Sequence, residues 1–196
     1  MKKQLLFLKL LALVACLSSA LSATAYDFSA VYNGKTFYYN ITGSNTVEVT
    51  YRDDAHTEYV GDISIPSTVT NNGTTYTVTA IGEFAFWVRP EGGSPLNPQT
   101  YSITSLSIPT TVTRIEECAF YFNYNLTSVS IPNSVIYIGK NAFGDCHRLA
   151  DLTIGSNVEE IDSYAFQGCE ALTEVVIPDK VTYIGNYAFV KCTSIT

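Results

Sequence analysis

The chain has few basic residues, and this scarcity limits its possible partners. It contains 11 Lys and Arg against 18 Asp and Glu, which gives a formal net charge of −7. Three of the lysines lie at positions 2, 3 and 9, in a segment that we expect to be removed, so removal lowers the charge by three, from −7 to −10. Phosphate binding needs a basic patch, and anionic lipid attracts cationic segments. We therefore expect no nucleic acid as a partner and no electrostatic docking on a membrane.

Sequence motifs for catalysis and metal binding are also missing. The chain has no Gly-rich phosphate loop, no nucleophile elbow and no H-E-x-x-H motif. Its cysteines form no Cys-x-x-Cys pair, which argues against a zinc site. Asp53, Asp54, His56 and Glu58 offer cation ligands, but their spacing does not match a calcium loop, so we interpret them as a solvated turn. We expect no enzymatic activity, no metal and no cofactor.

The longest apolar run is confined to the N-terminus, where it predicts export. Residues 5–17 are apolar except for one lysine, and Ala23-Thr24-Ala25 supplies the small-x-small pattern that signal peptidase cleaves. We therefore predict a signal peptide at residues 1–25 and a secreted or bacterial cell-surface protein.

Two alternatives to cleavage after Ala25 stay open. Leu13-Val14-Ala15-Cys16 resembles a bacterial lipobox, in which Cys16 would be lipidated and would hold the chain on a membrane. The apolar run would otherwise be retained as an anchor, although it is shorter than the ~20 residues that span a bilayer.

Aromatic residues are abundant but of two kinds only, which favours a β-rich fold. The chain has 14 Tyr and 10 Phe against one Trp and one Met, and 46% of its residues are hydrophobic, too many for a disordered chain. Asn33-Gly34 and Asn72-Gly73 suit the positive φ angles of a type I′ turn, so each predicts a β-hairpin. Residues 47–51 alternate in polarity and predict a further strand.

From residue 103 the sequence repeats with a period of 23 residues. The full copies are residues 103–125, 126–148, 149–171 and 172–194, and residues 195–196 begin a truncated copy. A distorted first copy spans residues 63–102 and contains two insertions, at 70–77 and 87–102. A fixed period of this length is typical of a solenoid, whose exposed ends need caps. We therefore predict leucine-rich repeats over 63–196 and an N-terminal β cap over 26–62.

Each repeat begins with a predicted strand that has one buried and one exposed face. With Leu126 as position 1, apolar residues recur at positions 1, 4 and 6, which is the L-x-x-L-x-L pattern of a leucine-rich repeat. Positions 2, 3 and 5 then face solvent. This surface is our first candidate for protein binding, with the residues Thr104, Ser105, Ser107, Thr127, Ser128, Ser130, Asp151, Thr153, Thr173 and Glu174. The alternative is that Ser and Thr are only well-solvated strand residues.

The second insertion is the other candidate for binding. Trp87, Arg89 and Tyr101 are residue types that are enriched at interface hot spots, and the Pro and Gly residues between them predict a surface loop. The alternative is a loop whose Trp87 packs onto the solenoid.

Two further repeat positions predict structural ladders. Phe120, Phe143, Phe166 and Phe189 recur at one position and should fill the middle of the stack. Cys146, Cys169 and Cys192 recur at position 21, where Asn123 stands in the preceding copy. We expect these three cysteines to be buried free thiols that meet backbone donors. A Cys146–Cys169 or Cys169–Cys192 disulfide is the alternative, and Cys118 is out of phase with this ladder.

The repeat resembles that of a known family. LTSVSIPNSVIYIGKNAF followed by Cys146, and the first copy IPSTVTNNGTTYTVTAIGEFAF, are similar to the BspA-like leucine-rich repeat surface proteins. The start Tyr26-Asp27-Phe28 after a signal peptide is also typical of them. The similarity is strong over residues 63–196 and looser over 26–62. The insertion at 87–102 departs from the family pattern, as does an end without a cap or sorting domain, which we interpret as a truncated gene or a fragment.

The resemblance implies a fold and a function. The expected fold is a β-rich solenoid, a right-handed array of 23-residue coils with an N-terminal β-hairpin cap. The implied function is protein binding or adhesion, with partners among host extracellular matrix proteins, such as fibronectin and fibrinogen, or on other microbes. A structural scaffold protein of the envelope, without a specific ligand, is the alternative. The family supplies no catalytic residues.

Overall fold

The computed structural model of the chain describes residues 26–53, 59–88 and 102–196. The predicted signal peptide, Cys16, His56, Arg89 and Tyr101 lie outside these residues. The described residues form thirteen β-strands. They include no helix that is long and apolar enough to cross a membrane.

An antiparallel sheet opens the fold. Strands β1 (Phe28–Tyr32), β2 (Lys35–Gly43) and β3 (Thr46–Thr50) follow one another in sequence and in space. Tyr32 pairs with Lys35, so Asn33 and Gly34 alone form the turn, with φ angles of 49° and 76°. These are the positive angles that a type I′ turn requires, and they confirm the first predicted hairpin.

A second hairpin connects this sheet to the repeats. Strand β4 (Gly61–Ser64) comes first, and then β5 (Thr68–Asn71) pairs antiparallel with β6 (Thr74–Ile81) around a turn at Asn72-Gly73. Strand β6 pairs in parallel with β3 on one side and with the first return strand of the repeats on the other. The sheet is therefore continuous from the N-terminal hairpin into the repeats.

The return segment of each repeat is itself a strand. Strands β8 (Arg114–Ile115), β10 (Tyr137–Ile138), β12 (Glu160–Ile161) and β13 (Tyr183–Ile184) pair in parallel, one per repeat. The full sheet has the order β1-β2-β3-β6-β8-β10-β12-β13, with β5 on β6. Ile115, Ile138 and Ile161 are completely buried beneath it. The longest sheet of the fold is thus formed by the return segments of the repeats, for which the sequence analysis predicted no strand.

The strands at the start of each repeat form shorter ladders on the opposite side. Strand β4 pairs in parallel with β7 (Ile103–Ser107), and β9 (Ser128–Ser130) pairs in parallel with β11 (Asp151–Thr153). The prediction was wrong for the fourth full copy, because residues 172–176 form no strand. Among the described residues, no backbone hydrogen bond joins residues 173–177 to β11. The segment has the side-chain pattern of a strand without the pairing that makes one.

Each repeat turns through two residues in the left-handed region. At position 16 the residues are Cys118, Asn141, Tyr164 and Tyr187, with φ between 53° and 62°. At position 20 they are Phe122, Asp145, Gly168 and Lys191, with φ between 53° and 67°. Such angles cost about 1–2 kcal/mol per non-Gly residue. They direct N–H groups at the next repeat, as from Cys118 to the Lys140 carbonyl at 2.9 Å and from Phe122 to the Gly144 carbonyl at 3.0 Å. Cys118, which is out of phase with the cysteine ladder, therefore occupies a turn position.

A column of phenylalanine rings fills the centre of the stack. The ring centroids of Phe86, Phe120, Phe143, Phe166 and Phe189 are 5.0, 5.0, 5.4 and 5.3 Å apart in turn. Adjacent rings lie within 14° of parallel. This spacing is slightly larger than the ~4.8 Å between strands, so the rings are stacked with a small offset, as aromatic pairs prefer.

Each thiol of the cysteine ladder meets a backbone donor, as expected, from Asn123, Cys146 or Cys169 at the same position of the preceding repeat, and it also bonds to a backbone acceptor. The cysteines of the described residues are free thiols, but Cys192 is only partly buried. Cys146, Cys169 and Cys192 donate from Sγ to the carbonyl of a Phe in the preceding repeat, at 3.4, 3.3 and 3.1 Å. Burial raises the pKa of the Cys146 thiol far above its usual value, so the thiol keeps the proton that it donates. A disulfide between neighbours would remove these bonds.

Gly139 is one of the positions at which neighbouring repeats lie too close for a side chain. A Cβ atom on Gly139 would lie 2.7 Å from the Glu116 carbonyl carbon in the preceding repeat. Because that neighbour is backbone, Gly139→Ala should lower the free energy of unfolding by about 1–3 kcal/mol, the usual cost of overpacking. Urea denaturation monitored by circular dichroism measures this change. Lys140→Ala, at the adjacent exposed residue, is the control and should leave the free energy of unfolding nearly unchanged, because exposed ion pairs contribute little. Equal effects of the two substitutions would contradict the close approach.

Candidate functional site

All ten residues predicted on the outward strand face are exposed. Strand pairing places eight outward residues in two separate ladders. In one ladder Asp62 pairs with Ser105 and Ser64 with Ser107, and in the other Ser128 pairs with Asp151 and Ser130 with Thr153. We call these eight residues, with Thr104 and Thr127 beside them, the hydroxyl face. Thr173 and Glu174 are exposed but lie outside the paired strands.

Asp62 anchors the first end of the hydroxyl face, and the sequence analysis missed it. Ser105 Oγ and Thr104 Oγ1 donate to the same carboxylate oxygen, Asp62 Oδ1, at 2.7 and 2.9 Å. The hydroxyl of Ser105, then that of Thr104, lowers the pKa of Asp62, so the carboxylate is ionised at neutral pH. The signal was present, because Asp62 immediately precedes Ile63 just as Ser105 precedes Leu106. The sequence analysis assigned Asp62 to the cap, because it placed the start of the repeats at residue 63.

A groove of about 360 Å³ lies beside the first strands of this face. We call it the β4 groove. The turn of the N-terminal hairpin forms one wall with Tyr32, Asn33 and Lys35, and β4 and β7 form the other. Lys35 Nζ donates to the Val60 carbonyl at 2.8 Å, which ties the hairpin to the chain just before β4. The groove thus joins the predicted cap to two predicted binding residues, Ser105 and Ser107.

The inserted loop is described only at its beginning. Trp87 is half-buried, and its ring centroid lies 5.2 Å from that of Phe84. This packing agrees with the interpretation of Trp87 as a residue held against the repeats. The structure does not bring Trp87 together with the hydroxyl face, and the two other candidates of the loop, Arg89 and Tyr101, lie outside the described residues.

A second groove, of about 410 Å³, is acidic and lies beside the long sheet. Glu48, Glu83 and Glu116 line it, and Asn40 Nδ2 donates to Glu48 Oε1 at 3.0 Å. Burial raises the pKa of Glu48, and the negative charges of Glu116 and Glu83 raise it further. Among the described residues, no group of three His, Cys, Asp or Glu side chains is placed to hold a metal ion.

Glu48 should make the stability of the fold depend on pH. Its folded-state pKa is raised, so the folded chain binds a proton that the unfolded chain has already lost, and stability falls as pH rises from about 4.5 through the raised value. Glu48→Gln keeps an acceptor for Asn40 and removes the charge. At pH 7 it should raise the free energy of unfolding by up to about 1 kcal/mol, a size limited by solvent screening of this half-buried group.

The measurement is a series of thermal denaturations between pH 4 and pH 8. The gain in stability of Glu48→Gln over the unaltered chain should be present at pH 7 and should vanish near pH 4, where Glu48 is protonated. Glu174→Gln, at an exposed carboxylate that forms no ion pair with another described residue, is the control and should show a much smaller change with pH. An advantage of Glu48→Gln that grows as pH falls would contradict the assignment.

The repeat sequence matches one family model. The model of the BspA type leucine rich repeat region matches residues 98–196 in six copies, which is just over half of the 196 residues. The chain belongs to the BspA-type leucine-rich repeat family. The matched range covers the regular copies and leaves out nearly all of the distorted first copy. No curated protein matches the chain.

Solved structures share the fold of this BspA-type chain. A leucine rich cell surface protein from Faecalibacterium prausnitzii is 24% identical with a TM-score of 0.50, over 87% of this chain and 54% of that one. The pneumococcal vaccine antigen PcpA is 20% identical with a TM-score of 0.53, over 86% of this chain and 48% of that one. At these identities the similarity shows a β-rich leucine-rich repeat fold. The BspA-type chain spans about half the length of either structure.

The outward geometry of this BspA-type chain suits binding. Its buried positions are used by the stack, as for Val129 and Phe143, whereas the hydroxyl face presents donors and acceptors to solvent at regular spacing. The β4 groove makes the first end of that surface concave.

Proposed function

We propose that the chain is an exported protein of the cell surface that binds other proteins through the hydroxyl face and the β4 groove. The observation that carries this proposal is the exposure of the Ser, Thr and Asp side chains on the outward face of both paired ladders. Rows of exposed polar groups on a rigid repeat scaffold are the usual binding surface of such proteins. The outward face of these ladders contains no apolar core residue, so binding does not compete with stability.

The partners that we propose are host extracellular matrix proteins or proteins of other microbes, as the family resemblance implies. A cell surface protein and a vaccine antigen among the structural neighbours support a location at the surface. The net negative charge favours partners with basic segments, because opposite charges steer encounter.

The size of the surface indicates that single contacts are weak. Four strands spaced about 4.8 Å apart, each about 17 Å long, present roughly 300 Å². A standard interface needs about 800 Å² on each partner. Many copies on one cell surface would therefore be required for firm attachment, because linked weak contacts gain avidity.

The shape that we propose is a right-handed solenoid with residues 26–62 as its cap. The hairpin β1–β2 supports this role, because it extends the long sheet beyond β3 and buries Phe37 and Tyr39. A solenoid without such cover would expose its first repeat to water.

Capture of matrix proteins on beads tests the proposal. Beads coated with the purified chain should retain fibronectin or fibrinogen through washing, while the soluble monomer should bind either protein only weakly. Ser128→Arg, in the middle of the hydroxyl face, should reduce capture about tenfold, which corresponds to about 1.4 kcal/mol. Thr182→Arg adds the same charge at an exposed residue just before β13, away from the hydroxyl face, and is the matched control. Beads that retain neither protein would contradict adhesion to matrix and would favour a scaffold role.

A second experiment tests export. Mass spectrometry of the protein purified from its cells should find Tyr26 as the first residue. A lipid adduct on Cys16 would replace soluble export with a membrane attachment.

A further inference from the structure

Strand β4 lies at the edge of its sheet, and the described residues place a strand on one side of it only. It pairs in parallel with β7, through bonds such as Gly61 N–H to the Ser102 carbonyl at 3.1 Å and Ile65 N–H to the Ser107 carbonyl at 3.0 Å. In a parallel pair, only alternate residues bond to the neighbouring strand. Gly61, Ile63 and Ile65 therefore face β7.

Ser64, between two residues that face β7, must direct its backbone groups the other way. Among the described residues, no backbone group bonds to Ser64 N–H from that side. Ser64 and Asp62 line the β4 groove, so an unused strand edge opens into it. Exposed edges of this kind bind extended peptides by adding a strand.

The groove has an apolar floor and polar walls. Phe37 and Ile63 are almost completely buried beneath it, while Tyr32, Asn33 and Lys35 close the side opposite to β4. Its volume of about 360 Å³ falls within the range of pockets that hold a short segment of a ligand. An added strand would place alternate side chains on this floor and the others toward solvent, beside Asp62.

The charges in the groove select among peptides. Among the described residues that line it, Asp62 is the acidic group and Lys35 the basic one, and the Lys35 ammonium already donates to the Val60 carbonyl. The hydrogen bonds that Thr104 and Ser105 donate to the Asp62 carboxylate both end on Oδ1. The acidic balance of the whole chain acts in the same direction as Asp62 and favours a cation.

We infer that the β4 groove binds an extended segment of a partner protein, which adds a strand beside β4 and places a basic side chain against Asp62. This inference rests on the proposed function, because it names how the surface would hold a protein partner. It also places the specificity of the chain at the hairpin and first strands, away from the regular repeats.

A synthetic peptide tests the binding mode directly. The probe is the blocked pentapeptide Thr-Val-Lys-Val-Thr, which puts two valines on the floor and lysine toward Asp62. Nuclear magnetic resonance titration of the full chain should show the largest amide shifts at Asp62 and Ser64. The Glu analogue should bind at least about fivefold more weakly, and a peptide methylated at its backbone nitrogens should not bind.

Two pairs of variants separate the contribution of the Ser64 backbone N–H to peptide binding from that of the Asp62 charge. Ser64→Pro removes the outward N–H, and proline is tolerated on a strand edge, so the fold should persist while peptide binding is lost. Ser64→Ala keeps the N–H and should bind normally. Asp62→Asn keeps an acceptor for Ser105 and Thr104 but removes the charge, so it should abolish the preference for Lys over Glu. Asp179→Asn, at an exposed carboxylate outside the hydroxyl face and the groove, is its control.

The outcomes distinguish this inference from the proposed function. An amide shift at Asp62 that disappears in Ser64→Pro but persists in Ser64→Ala would support strand addition. Equal binding by Ser64→Pro and Ser64→Ala, or shifts confined to other parts of the chain, would overturn it. If beads coated with Ser64→Pro still capture matrix proteins while the peptide never binds, only the strand addition fails. If the peptide binds but beads of the unaltered chain capture nothing, only adhesion to matrix fails.

Discussion

Replacing Phe143 by Ala should lower the free energy of unfolding by about 3–5 kcal/mol. The Phe143 ring is completely buried, and it stacks on Phe120 at 5.0 Å and on Phe166 at 5.4 Å. Alanine would leave a cavity between two neighbouring repeats, and the surrounding backbone cannot collapse into it because ladders of hydrogen bonds hold the repeats apart. Chemical denaturation with circular dichroism detection measures the loss.

Phe189 provides the matched control for this prediction. It occupies the same repeat position but is only partly buried and contacts one ring of the column, that of Phe166. Phe189→Ala should therefore cost clearly less, about half as much as Phe143→Ala. Equal losses at the two positions would mean that the column contributes through each repeat alone and not through stacking. A loss below about 2 kcal/mol for Phe143→Ala would contradict the cavity argument.

The period of the sequence was sufficient to predict which residues are buried in the inner repeats, but not in the last full copy, where Ile177 and Ile184 are exposed. Val135, Ile138, Ala142 and Phe143 recur every 23 residues, and all four are completely buried. The prediction succeeded because each repeat position meets the same position of its neighbour, so a local pattern fixes a long-range contact. The hairpins were predictable for a different reason, since Asn33-Gly34 and Asn72-Gly73 each specify a turn without reference to the rest of the chain.

The turns between repeats could not be predicted from residue types. Position 16 is Cys118, Asn141, Tyr164 and Tyr187 in successive copies, and all four adopt positive φ. Tyr and Cys are not typical of left-handed backbone, so their identities conceal the conformation. The stack imposes it, because the N–H of such a residue must reach a carbonyl in the following repeat, as Tyr164 N–H reaches the Asn186 carbonyl at 3.1 Å.

The candidate site was predictable only in part. Exposure of the hydroxyl face followed from alternation along each strand, because residues 104, 105 and 107 fall between buried positions. The β4 groove did not follow, because it forms where the turn at Asn33 approaches strand β4 some 30 residues later in the chain. No local pattern specifies that approach. The Lys35 bond to the Val60 carbonyl, which fixes it, joins residues that the sequence does not relate.

Asn123 should be the most sensitive polar residue of the stack. It is completely buried, and its Nδ2 donates to the carbonyls of Phe86 at 2.8 Å and Phe120 at 2.9 Å. Its Oδ1 accepts the N–H of Ile103 at 3.0 Å. Asn123→Ala would leave the Phe86 carbonyl and the Ile103 N–H without these partners. Each buried orphan costs about 1–3 kcal/mol, so we expect a total loss of about 3–5 kcal/mol.

In the later copies a cysteine replaces asparagine at this repeat position, although a thiol is a weaker hydrogen-bond donor than an amide. Cys146 stands one repeat after Asn123 and donates only to the Phe120 carbonyl, which Asn123 also bonds. Cys146→Ala should therefore cost only about 1–2 kcal/mol, because that carbonyl keeps another donor. The stability of Asn123→Cys should fall between those of the two alanine variants, since a thiol restores a donor toward Phe86 but no acceptor for Ile103.

Denaturation of all three variants under reducing conditions gives the order of their stabilities, and faster amide exchange at Ile103 should accompany both Asn123 changes. Equal losses of stability in Cys146→Ala and Asn123→Ala would mean that Asn123 contributes no more than a cysteine of the ladder. The larger loss that we expect for Asn123→Ala would show that Asn123 joins the irregular first copy to the regular repeats.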